Sequence, residues 1–170
     1  MKNKLLICAI TAQMAAFSPG LASACSVAHV LYTLDGAPYI KARFEPLGSH
    51  GHTLGEEAFV IESDKSGKKI SYLFDMGSGP GVHLISTEDV TQPNWTPPDP
   101  DSRKHRPLFD TEYLEATASD HFNAPREPHA TDDAAAKILV NDLSEALKLG
   151  GLTDQYVLQG FFRISSCSTL

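Results

Sequence analysis

Residues 57–86, EAFVIESDKSGKKISYLFDMGSGPGVHLIS, constrain the fold more than any other part of this chain. Three apolar runs, AFVIES, KISYLF and VHLIS, have the length of strands and are separated by turn-forming residues. In the middle run Ile70, Tyr72 and Phe74 fall on one side of an extended backbone. Asp64-Lys65-Ser66-Gly67 is an ordinary polar turn. Gly77, Gly79 and Gly81, with Pro80 among them, require tight backbone with positive φ at some positions. The stretch predicts three consecutive antiparallel strands at the centre of a sheet.

The same alternation appears at 39–45, where Ile40, Ala42 and Phe44 oppose Lys41, Arg43 and Glu45. Asp35-Gly36 is a strong turn signal, so 26–45 reads as a hairpin with a loop of about four residues. Residues 108–118 suit either period and are read as a strand. Residues 155–165 form a last strand, with Tyr156, Leu158, Phe162 and Ile164 on one face. Residues 132–149 read as a long helix. Thr131 is a suitable N-cap, and Asp132 and Asp133 suit the first turn. Ala135, Ala136, Leu139, Val140, Leu143, Ala146 and Leu147 make its apolar face, and Gly150-Gly151 ends it. The expected fold class is α+β: a mostly antiparallel sheet of about five to seven strands with one long helix packed on it.

The chain begins with Lys2 and Lys4, an apolar run from 5 to 17, and the small-x-small triplet Ala22-Ser23-Ala24. This is the pattern of a cleaved signal peptide over 1–24, leaving 25–170 as one exported domain of 146 residues. No later apolar run is long enough to span a membrane as a helix. Without Lys2 and Lys4, 12 basic residues face 21 acidic ones, a formal charge of −9. That balance disfavours nucleic acid and anionic lipid and favours a soluble surface or a basic partner. Cys25 and Cys167 remain as a pair, and an even pair in an exported chain predicts a disulfide. The alternative is lipid attachment at Cys25, although Ala22 stands where such a signal has a leucine.

No complete catalytic motif is present. Gly77-Ser78-Gly79-Pro80-Gly81 matches neither a phosphate-binding loop nor a nucleophile elbow. Asp75, Ser78 and His83 have the composition of a triad, but a triad is defined by geometry. Ser66 to Lys69 contains S-x-x-K, but in a polar, solvated turn that does not suit a catalytic lysine. His50 and His52, with His83 as a third nitrogen, are the candidate ligands for zinc or another divalent transition metal. The loop 87–107 carries five prolines and the only tryptophan, Trp95, followed by Arg103, Lys104, His105 and Arg106. Rigid aromatics beside arginines are the composition of interface anchors, so Trp95, Arg103, Lys104 and Arg106 are the candidate protein-binding residues. The sequence thus points to a non-enzymatic exported protein, periplasmic or secreted. It would bind another envelope protein through the loops 46–56 and 92–107. A metal-binding protein or metal-dependent hydrolase using His50, His52 and His83 is the second reading.

Overall fold

The computed structural model describes residues 25–48, 55–77, 81–99 and 104–168. Residues 1–24, expected from the sequence to be a signal peptide, lie outside these residues. Eight antiparallel strands follow one another around a closed barrel. They are β1 (Val30–Leu34), β2 (Ala37–Pro46), β3 (Glu57–Ser63), β4 (Lys69–Asp75), β5 (Val82–Thr87), β6 (Thr111–Ala116), β7 (Lys137–Val140) and β8 (Phe162–Cys167). Each pairs with its neighbour in sequence, and β8 pairs back onto β1 from Val30↔Cys167 to Leu34↔Phe162. The disulfide Cys25–Cys167 ties the start of the described chain to the end of β8 at this seam, with Cα atoms 5.7 Å apart.

The three central strands form as their alternation requires. Phe59 pairs with Tyr72, Tyr72 with Ser86, and Phe74 with Leu84, all on the inner face. Gly77 takes φ 40°, the left-handed backbone expected of this glycine-rich turn. The first hairpin is tighter than expected: Asp35-Gly36 alone joins β1 to β2, with Gly36 at φ 76°.

The lumen is filled by side chains. Tyr32, Phe44, Phe59, Phe74, Tyr113 and Phe162 form a connected group of rings 5.1–6.2 Å apart, most of them edge to face. On the outside, Arg43 pairs with Glu45 and Glu62, and Lys41 with Asp64. Membrane barrels carry the opposite arrangement, with an apolar band outside. Among the described residues no helix is long and apolar enough to cross a membrane.

The α+β expectation is corrected by this structure, and the long helix over 132–149 is not formed. Its first half contributes β7, and only α1 (Leu143–Leu149) is helical. Lys137-Ile138-Leu139-Val140 contains two β-branched residues and meets an open ladder: Tyr113, Leu114, Glu115 and Ala116 pair with it along β6. Ile138, which the helical face omitted, is fully buried. Asn141 fixes the ladder's end through its N–H to the Glu112 carbonyl (3.1 Å) and its side-chain amide to Glu112 Oε2 (2.6 Å). Asp142 then turns the chain at φ 51°. The short helix plugs a barrel end instead of lying on a sheet face. Leu143, Ala146 and Leu147 join the inner cluster, and Gly150 sits against Ile70 at the start of β4.

The last strand is also shorter than expected. It begins at Phe162, so Tyr156 and Leu158 are exposed and Phe162 alone of the expected face is buried.

Candidate functional site

Residues 88–99 leave β5 and fold back over the outer surface of β3 and β4. Asp89 starts the fold-back by accepting the Thr91 N–H (3.0 Å), the Thr91 hydroxyl (2.6 Å) and the Gln92 amide (3.0 Å). Burial works against its charge, but the Thr91 and Gln92 hydrogen bonds prevail and hold its pKa below the ordinary carboxylate value. Trp95 anchors the segment. Its ring packs with Leu47, Ala58, Val60 and Leu73, and its Nε1–H donates to the buried Thr87 hydroxyl at 2.9 Å. Trp95 is therefore a packing residue in a second, outer core, and its ring is not displayed to a partner. A tryptophan in a proline-rich loop has the same sequence signature in either role.

The anchored loop places Pro97 and Pro98 beside the end of β4 and β5. Between them lies a cleft of about 570 Å³, in the size range of small-ligand and side-chain pockets. Leu73 and Ile85, cross-strand partners on the outer face, form its floor, and Phe74 and Met76 also line it. Gly55, Asp75, Gly77 and Glu127 complete its rim. The cleft joins both loops singled out in the sequence, 46–56 through Gly55 and 92–107 through Pro97 and Pro98. Gly55, at φ 90°, lies so near Glu127 that a β-carbon there would collide with the Glu127 carboxylate. Glu127 Oε1 is buried and accepts no hydrogen bond. Asp75 Oδ1 accepts the Gly77 N–H at 2.8 Å, which fixes the rim.

Glu127 belongs to a strap, 117–136, that closes the barrel mouth where β1, β3, β5 and β7 begin. Glu115 points inward from β6, accepting from the Tyr113 hydroxyl (3.0 Å), Arg126 Nε (3.2 Å) and Asn123 (3.4 Å). Arg126 also donates to Asp132 at 2.6 Å. Burial alone lowers the Arg126 pKa, but Glu115 and Asp132 outweigh it and hold the guanidinium more firmly charged than usual. Burial, then the Glu115 charge, pushes the Tyr113 hydroxyl well above its ordinary value. The strap is stitched to the chain start by Val27 N–H to Asp132 O (2.9 Å) and to β1 by the Tyr32 hydroxyl to Ala135 O (2.9 Å). Sequence reasoning passed over Glu115, Arg126 and Glu127. Glu115 sharing the alternation of Thr111 and Tyr113 was the one visible sign of an inward carboxylate.

The proposed metal ligands are not assembled among the described residues. His50 and His52 lie outside them. His83 is half-buried on β5, between Asp75 on β4 and Glu112 on β6 in register. No three His, Cys, Asp or Glu side chains among the described residues converge to hold a metal ion. Ser78 lies outside the described residues, and Asp75, though paired with His83 in the ladder, spends Oδ1 on its own turn. In the basic cluster, His105 Nδ1 meets Glu88 at 3.0 Å and Arg106 meets Asp110 at 3.5 Å. Lys104 is exposed, and Arg103 lies outside the described residues.

No protein-family model matches this chain, and no significant match appears among the curated proteins or the solved structures.

Proposed function

We propose that this chain is an exported, non-enzymatic binding protein that captures part of another envelope protein in the cleft between Pro97, Pro98 and the β4–β5 rim. The observation that carries this reading is the convergence of the two loops on one apolar-floored cleft. A filled lumen supports it as well, because the ring cluster leaves the barrel exterior as the place to bind. Export is supported by the Cys25–Cys167 disulfide, since such bonds persist in oxidising compartments. The binding loop is held by Trp95 from beneath, so little ordering is left to be done on association.

Site-specific photocrosslinking in cells tests the proposal. A benzophenone amino acid replaces Met76 at the cleft rim, or Tyr156 near the opposite barrel end as a control. One defined partner captured from Met76 and not from Tyr156 is the expected result. No adduct at Met76, or the same set of adducts at both positions, would refute it.

A further inference from the structure

We infer that the seam between β7 and β8 is a redox latch: a dithiol that reduces Cys25–Cys167 releases β8 while the other seven strands stay folded. The β7–β8 ladder has two residue pairs, Lys137↔Arg163 and Ile138↔Phe162, the fewest of the eight ladders among the described residues. By contrast, seven pairs join β2 to β3, and five join β4 to each of its neighbours. Past Arg163, β8 has no ladder partner on the β7 side. The strap that leads into β7 is bonded to the chain start instead, with the Ala134 N–H donating to the Cys25 carbonyl at 2.6 Å. The disulfide thus joins the unladdered end of β8 to the segment that precedes β7.

Little else on β8 resists release. Of its six residues only Phe162 is buried. On the β1 side it is held by its ladder, whose register shifts between Leu31 and Tyr32, and by the Ser165 hydroxyl donating to the Leu31 carbonyl at 3.0 Å. Arg163 pairs with Asp35 at 2.7 Å, but both side chains are exposed and such a pair contributes little. Elements with few buried apolar contacts and exposed backbone hydrogen bonds are the first to open. The rest of the barrel keeps its own support. The strap is held by the Val27 N–H to the Asp132 carbonyl and the Tyr32 hydroxyl to the Ala135 carbonyl, and Leu143, Ala146 and Leu147 stay in the inner cluster.

Cys167 is exposed and Cys25 buried, so an incoming thiolate reaches the Cys167 sulfur. It forms a mixed disulfide there as the S–S bond breaks, and Cys25 leaves as a thiolate that takes up a proton. The second thiol of the reductant then displaces Cys167, which also leaves as a thiolate and takes up a proton. Two electrons have passed to the protein, and the dithiol has become a disulfide. The latch is open in reducing surroundings and shut in oxidising ones.

Trypsin digestion of the full mature chain under native conditions reads the latch, because Arg163 lies in β8 and Arg43 in β2. Cleavage after each is timed by mass spectrometry in the oxidised chain, in the chain treated with dithiothreitol, and in the Cys25→Ser, Cys167→Ser variant. Cleavage of this kind follows the population of the open form, so dithiothreitol is expected to speed cleavage after Arg163 by about fiftyfold or more, and to leave it about tenfold or more faster than cleavage after Arg43. The variant should be cut like the reduced chain without any reductant. Equal rates after Arg163 and Arg43 in the reduced chain would mean that the whole barrel loosens, and would overturn the inference. So would a variant cut after Arg163 no faster than the oxidised chain, since β8 would then be held without the disulfide. If the variant opens β8 while dithiothreitol leaves the native chain uncut after Arg163, the disulfide is a structural tie and the latch is refuted.

Discussion

Replacing Trp95 by alanine should unfold the outer core without touching the barrel lumen. The ring is 7% exposed and covers Leu47, Ala58, Val60 and Leu73 on the outer face of β3 and β4. Truncating a buried tryptophan costs about 3–5 kcal/mol. The change also removes the donor to Thr87 Oγ1, which is 2% exposed and would lose its partner. Because the ring packs on one face of a sheet and not inside the barrel, the loop 88–99 can settle partly into the space. We therefore expect about 3 kcal/mol, or a fall of roughly 10 °C in melting temperature for a domain of this size. Trp95→Phe keeps most of the contact and loses the N–H, so about 1–1.5 kcal/mol is expected. Urea titrations followed by far-UV circular dichroism measure both, since the substitutions remove the chain's only tryptophan fluorescence. An alanine variant within about 0.5 kcal/mol of the native chain, the range of ordinary surface changes, would refute the packing role and return Trp95 to the surface.

Arg126→Ala leaves Glu115 buried inside the barrel mouth without its cation and should cost about 3 kcal/mol, with the Glu115→Gln, Arg126→Ala double variant losing less than the sum of the singles in the same titration. Glu57 is buried with Oε2 unpartnered, and burial, then Glu56 and Glu45, raise its pKa above the ordinary value. Between the unfolded and the raised folded pKa the folded state binds more protons, so this group's contribution falls as pH rises through that window. Glu57→Gln should therefore be more stable than the native chain at neutral pH, the difference vanishing below the unfolded pKa; equal stability at both pH values would contradict this. Removing the disulfide by Cys25→Ser with Cys167→Ser frees a loop of 142 residues and should lower stability by up to about 5 kcal/mol, read by the same denaturant titration.

The local pattern of the chain was sufficient for the three central strands, the Asp35-Gly36 turn, the disulfide pair and the two loops that meet at the cleft. These depend on period-two alternation, glycine backbone freedom and cysteine count, all of which act within a few residues or through the compartment. Closure of the barrel was decided elsewhere. Residues 137–140 carry an apolar pattern that suits helix or strand, and the open edge of β6 selected strand because its backbone groups needed partners. Once that ladder formed, β8 could reach both β7 and β1, and the remaining helix was left as a plug at one end. Trp95 shows the same division. Its composition marked it as important, but whether its ring faced a partner or its own sheet depended on Ala58, Val60 and Leu73, an apolar outer stripe that needed cover. Glu127 was invisible for a related reason. A carboxylate in a polar loop is ordinary until tertiary packing buries one of its oxygens beside Gly55 and leaves it without a donor.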